Sequence, residues 1–142
     1  SRQTEARIVD ALRDAGALAI SLVAEFGGKV VGHIAFSRVS ISDGTRDWYG
    51  IGPLSVLPGF QGRGLGSALV RSGLDRLRRI GGKGCVLVGE PQYYERFGFK
   101  SDPNLTHEDI PAEYFMALSL EPQSKNDAPA GIVTFHEGFD VK

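Results

Sequence analysis

Gly62, Gly64 and Gly66 alternate with Arg63 and Leu65 between Gln61 and Ser67. A backbone relieved of side chains at that spacing can turn tightly and bring its N–H groups against a ligand. The apolar residues on either side change period there. Ile51, Leu54, Val56 and Leu57 are strand-type residues, whereas Leu69, Val70, Leu74, Leu77 and Ile80 recur at three- and four-residue spacing. The glycines therefore stand where a strand passes into a helix. The first N–H groups of a helix have no partner within it and lie at the positive end of its dipole, so this junction suits a phosphate or pyrophosphate.

Two common phosphate loops do not match. The Walker pattern requires Gly-Lys-Ser/Thr at the helix start, and here Gly66 is followed by Ser67 and Ala68, with no lysine between Lys29 and Lys83. The dinucleotide fingerprint requires a third glycine where Ser67 stands, and an acidic residue about 20 positions further on that is missing. The run Gln61-Gly62-Arg63-Gly64-Leu65-Gly66 instead resembles the Q/R-x-x-G-x-G/A signature of the GNAT superfamily of acyl-CoA-dependent N-acyltransferases. The resemblance implies that the amides from Gln61 to Ser67 hold the pyrophosphate of acetyl-CoA. It also implies that two central strands part at a bulge, with the pantetheine arm bonded to backbone groups at Leu54, Ser55 and Val56. Pro53 fits this independently: a proline cannot donate to a strand ladder and marks an edge or a bulge.

A second resemblance lies downstream. Tyr93-Tyr94-Glu95-Arg96-Phe97-Gly98-Phe99 is similar to the FY-x-x-x-GF element of the same family. Aligned on Gly98-Phe99, the family's proton-donating tyrosine falls on Tyr94, with Tyr93 where phenylalanine is usual. An unperturbed phenol titrates near pH 10, so it can donate a proton at neutral pH without prior activation. Some family features are missing. Leu87 and Glu90 stand where many members place asparagine and alanine, and the Tyr49 to Leu57 strand carries no carboxylate to act as base. Glu25, Glu90 and His33 are the remaining candidates, and the base stays unassigned.

The elements that must position these residues are legible from the pattern. Thr4 and Glu5, followed by Ile8, Val9, Leu12 and Ala15 and stopped by Gly16, predict a short amphipathic helix. Leu18, Ile20, Leu22 and Phe26 alternate up to Gly27-Gly28, and Val30, Gly32, Ile34 and Phe36 continue after it, which predicts a β-hairpin. Ser40 to Asp47 reads as a turn, Trp48 to Leu57 as a strand, and Lys83 to Gly89 as a buried strand parallel to it. Strand, glycine loop, helix and strand make one βαβ unit. Tyr114 to Leu120 and Ile132 to His136 read as the last two antiparallel strands, and Asn104, Thr106, His107, Glu108 and Asp109 as a polar loop. Together these predict one α/β (α+β) domain over residues 1–142, a GNAT-like mixed, mostly antiparallel twisted sheet with a central βαβ unit and helices on both faces. Compared with the family, its first strand and first helix are missing. That would leave the Leu18 to Phe26 strand with a bare edge, to be covered by an upstream segment or by a second copy in a homodimer.

Composition narrows the function further. The 142 residues carry a net charge of -1, which gives no electrostatic footprint for nucleic acid or an anionic membrane. No apolar run approaches the roughly 20 residues that cross a bilayer, and the start SRQTEARIVD lacks a signal-peptide core, so a cytoplasmic protein is expected. Cys85 is the one cysteine; in the run GCVLVG it is expected to be buried packing, with no disulfide and no metal. The expected activity is transfer of an acetyl group from acetyl-CoA to a primary amine of a small molecule or peptide, with Tyr94 protonating the departing thiolate. A CoA-binding sensor or structural domain without catalysis is the alternative, and a nucleotide-binding regulatory module is a second.

Overall fold

The computed structural model describes residues 6–11, 18–120 and 128–135. Among these the chain forms β1 (Arg7–Asp10), β2 (Leu18–Phe26), β3 (Lys29–Ile41), β4 (Trp48–Val56), α1 (Leu65–Arg79), β5 (Gly84–Val88), α2 (Pro91–Tyr94), β6 (Lys100–Ser101), β7 (Leu105–Thr106), β8 (Phe115–Ser119) and β9 (Gly131–Phe135). The strands join in the order β1-β2-β3-β4-β5-β8-β6, with β9 pairing to β3 and to β7. Pairing is antiparallel except between β4 and β5 and between β7 and β9. The β4–α1–β5 crossover is the expected βαβ unit, and Gly27 and Gly28 make the turn of the β2–β3 hairpin.

Two expectations for the first strands are corrected. Arg7–Asp10 is a strand, not part of a helix: Ile8 lies opposite Ala24 and Val9 opposite Val23. Ile8 and Val9 are adjacent β-branched residues that suit a pleated surface, and the free edge of β2 offers backbone partners that a lone helix would not satisfy. The other positions of the expected helix, Thr4, Glu5, Leu12, Ala15 and Gly16, lie outside the described residues. The β2 edge is consequently paired by β1, with Arg7 bonded to Glu25 at 3.3 Å and Asp10 ion-paired to Arg76 of α1. β3 also runs further than its alternation suggests, through Ile41, because Val39, Ser40 and Ile41 pair with Phe135, Thr134 and Val133 of β9. His136 lies outside the described residues.

Alternation along β3 distributes side chains between two cores. Ile34 and Phe36 face α1, whose Leu69, Val70, Leu74 and Leu77 are buried against them together with Leu22 and Ile51. Each such side chain contributes about 1.5–3 kcal/mol by leaving water. Val39 and Ile41 face the other way, into a smaller cluster with Trp48, Val86, Leu105, Phe115 and Val133. The sequence predicts helices on both faces. Among the described residues, α1 and the α2 turn both add to the first cluster, and β7, β9 and Ile110 cover the second. Cys85 is buried in β5, and burial pushes its thiol pKa well above the usual range, so it is unreactive packing.

Candidate active site

The site begins where β4 and β5 part. Their register runs through Trp48 with Gly84, Tyr49 with Cys85 and Gly50 with Val86, and β4 then continues to Val56 without β5. On its other side, β4 is opposed by β3 at Ile51 with Phe36 and at Leu54 with Ile34, so β4 carries one extra residue around Gly52 and Pro53. Pro53 has no N–H to give to a ladder, and the extra residue re-aims the end of the strand. Leu54, Ser55 and Val56 thus run along an opening on the side that β5 has left.

At the end of β4 the chain turns into α1. Gly62 and Gly64 have φ of 78° and 84°, the left-handed region where a Cβ is strained. The first bond of the helix runs from the Ala68 N–H to the Gly64 carbonyl at 3.0 Å. The amides of Leu65, Gly66 and Ser67 therefore have no partner within the helix and face outward at its positive end. The Gln61 side chain donates from Nε2 to the Val56 carbonyl at 2.9 Å, tying the loop to the strand it leaves. A cavity of about 460 Å³ opens on this junction. Of the residues expected to bind the cofactor, Leu54, Ser55, Val56, Gln61, Gly62, Gly64, Leu65, Gly66 and Ser67 line it. Arg63 does not; its guanidinium lies over the Phe60 ring, 5.2 Å from the centroid.

The opposite wall comes from α2 and the 3-10 turn that continues it. Tyr93 and Arg96 line the cavity, and the Tyr93 hydroxyl stands 3.0 Å from where a Cβ on Gly66 would be. Arg96 stacks on the Tyr93 ring at 4.5 Å. Tyr94 is turned away from this wall. Its ring meets that of Tyr93 edge-on at 4.8 Å, packs near Phe99, and lies 2.5 Å from where a Cβ on Gly89 would be, at the end of β5. Burial first, and the neighbouring Tyr93 second, raise the Tyr94 pKa above the ordinary phenol value. Its proton is held more firmly than in water.

The base candidates separate. Glu25 is engaged with Arg7, and Glu90 is the N-cap of α2, where its main-chain carbonyl accepts the amides of Tyr93 and Tyr94 and its carboxylate makes no capping bond. His33 shares a 2.9 Å hydrogen bond between Nε2 and Ser21 Oγ, and it lies directly opposite Ser55, which lines the cavity. The polar loop from Asn104 to Asp109 is tied into the second core: the Asn104 carbonyl accepts the Gly131 N–H, and His107 packs on Phe115 and Phe135. Motif matching misses Tyr93, Arg96 and Phe60 as cavity residues; the three-residue spacing of Tyr93 and Arg96 on a helical turn is the signal that could find two of them. Among the described residues no group of three or more His, Cys, Asp or Glu could hold a metal ion, and no helix is long and apolar enough to cross a membrane.

Known proteins resemble this chain in sequence and in fold. The family model for the Acetyltransferase (GNAT) family matches residues 2–99. The chain is 35% identical over 143 aligned residues to an uncharacterised N-acetyltransferase, YhbS of Escherichia coli K12, covering 96% of this chain and 83% of that one. Among solved structures, a GNAT family acetyltransferase from Brucella melitensis in complex with acetyl-CoA is 48% identical with a TM-score of 0.72, covering 87% of this chain and 70% of that one. The Escherichia coli YhbS structure in complex with CoA is 32% identical with a TM-score of 0.77, covering 85% and 69%.

Proposed function

This chain belongs to the GNAT acetyltransferase family, and from that premise we propose that it moves an acetyl group from acetyl-CoA to a primary amine of a small molecule or peptide. The observation that carries the reading is the cavity at the α1 N-terminus, where unspent amides and left-handed glycines meet the opening beside β4. Residues from Gln61 to Ser67 suit the pyrophosphate, because backbone N–H groups and a helix N-terminus stabilise anions. The backbone of Leu54, Ser55 and Val56 suits the pantetheine arm, since those residues leave the β5 ladder behind.

Bound acetyl-CoA supplies a thioester, an acyl group that a neutral amine can attack directly. The chain's part is to orient and to move protons. An N–H of β4 beside the bulge steadies the negative charge that develops on the carbonyl oxygen. As the C–N bond forms and the C–S bond breaks, Tyr94 gives its proton to the sulfur, and the excess proton of the amine leaves to a base or to water. Support for Tyr94 is its place in the family motif, its position against Gly89 at the end of β5, and a pKa raised by burial, which keeps the phenol protonated.

The test is a panel of amines, from polyamines and aminoglycosides to peptide N-termini, incubated with acetyl-CoA and read by release of free thiol. Acceptor-dependent thiol release is the expected result. Binding of CoA without thiol release from any acceptor would point to the non-catalytic alternative.

A further inference from the structure

We propose that Tyr93 and Arg96 form the second wall of the phosphate cradle, so that the diphosphate of CoA is held between the loop amides and the side chains of the α2 turn. This rests on the acetyl-CoA reading above. The Tyr93 hydroxyl stands 3.0 Å from the Gly66 Cβ position, which puts a donor over the first turn of α1 beside the amides of Leu65, Gly66 and Ser67. Arg96 is the one charged side chain lining the cavity among the described residues. Each phosphate of a diphosphate carries a negative charge, whereas a helix N-terminus offers only about half a positive one. Arg63, the cation within the loop, does not line the cavity. Arg96 therefore supplies the charge that the loop does not.

The geometry also explains how so exposed a side chain is aimed. Residues three apart on a helical turn lie on one face, and the Arg96 guanidinium rests on the Tyr93 ring at 4.5 Å. Stacking engages the flat face of the guanidinium and leaves its N–H edges for oxygen acceptors. Tyr93 thus acts twice, through its hydroxyl and as a platform. Tyr94, whose ring is perpendicular to it at an interplanar angle of 90°, is left for the β5 side of the opening.

Calorimetric binding of CoA, dephospho-CoA and pantetheine to the wild type, Arg96→Gln and Tyr93→Phe tests this without reference to turnover. Tyr93→Phe keeps the ring and the stacking, and melting curves check that both variants remain folded. Loss of a hydrogen bond to a charged group corresponds to about a tenfold weakening or more. We expect that loss for CoA and dephospho-CoA in Arg96→Gln, about half as large on a logarithmic scale in Tyr93→Phe, with pantetheine binding unchanged. Raising the salt concentration should weaken CoA binding less in Arg96→Gln than in the wild type. Equal losses for pantetheine and CoA would mean that the wall only packs, and would overturn the proposal. So would losses confined to CoA with dephospho-CoA unaffected, because the charge recognised would then be the ribose phosphate. Wild type that binds CoA, with both variants within twofold of it, overturns the second wall alone. Wild type that binds no CoA overturns the acetyl-CoA reading with it.

Discussion

The middle and the start of α1 use glycine for opposite reasons. In the middle of the helix, Gly73 is buried and lies so close to the Phe36 ring that a Cβ would overlap it. At the start, a Cβ on Gly64 would meet no protein atom within 4 Å. The first glycine makes room for the sheet, and the space left by its missing side chain is already filled by Phe36. The second borders open space at the cavity, in a backbone conformation that L side chains resist. One helix is thus a packing element along most of its length and, in the function proposed above, a ligand-binding element over its first turn.

This contrast breaks most visibly at Gly73. Gly73→Val should cost about 3 kcal/mol, because Phe36 is fully buried and the surrounding core has no slack to take another group. A chain of this size should then melt about 10 °C lower, as a thermal scan would show. Adding Phe36→Leu should recover part of the loss, since the two positions are in contact and do not act additively. A Gly73→Val protein as stable as the parent would mean that α1 does not sit this closely on β3.

Gly64→Val should do the reverse. A β-branched side chain at φ 84° is strained by about 1–2 kcal/mol, so the protein should remain folded with a modest loss of stability. CoA affinity should fall at least a hundredfold, about 2.7 kcal/mol, because the side chain projects into open space beside the loop amides. Melting with and without CoA separates the two effects: at a ligand concentration 100 times its dissociation constant the parent should gain about 2.7 kcal/mol and the variant almost nothing. Undiminished CoA binding in folded Gly64→Val would remove the anion cradle.

The two parts of the helix also differ in how legible they are. The packing part follows from periodicity: Leu69, Val70, Leu74 and Leu77 recur as a helix facing a sheet must, and all four are buried. The glycine loop is equally plain, because Gly62, Gly64 and Gly66 are unusual enough in number and spacing to stand out. The wall facing the loop is not plain. Neighbours on a helical turn point about 100° apart, so a motif can identify the tyrosine pair without saying which ring enters the cavity. β1 is illegible for a different reason. Four residues with Ile8 and Val9 side by side fit either period, and only the unpaired edge of β2 decides between them. The extension of β3 likewise depends on β9, a partner far along the chain.

Tyr94→Phe tests the chemistry at the binding end. If Tyr94 protonates the sulfur, kcat should fall about tenfold while the dissociation constant for acetyl-CoA stays constant, since the lost interaction matters in the transition state. The sign of its pKa shift fixes the pH dependence. A phenol raised by burial keeps its proton to higher pH, so the alkaline limb of the parent's kcat profile should lie above about pH 10 and should weaken in Tyr94→Phe. Tyr93→Phe should instead change affinity more than kcat. A Tyr93 variant that loses more kcat than the Tyr94 variant would move the acid by one residue.

The smallest effect belongs to the third surface of α1, neither packed nor facing the cavity. Asp75 and Arg79 form an i,i+4 ion pair at 2.9 Å with both side chains more than half exposed, at 57% and 68%. Water screens such a pair, and ordering two long side chains offsets part of the attraction, so Asp75→Ala should change stability by about 0.5 kcal/mol or less. The residue also stands one helical step from Arg76, which pairs with Asp10 of β1, and losing a carboxylate there slightly reduces the local negative charge that both arginines feel. Salt is the discriminating variable. Any deficit of Asp75→Ala at low ionic strength should vanish at about 1 M salt, where the screening length falls to about 3 Å, whereas the Gly73→Val deficit should persist. A salt-independent loss of more than about 1 kcal/mol in Asp75→Ala would mean that this face of α1 is covered rather than solvated.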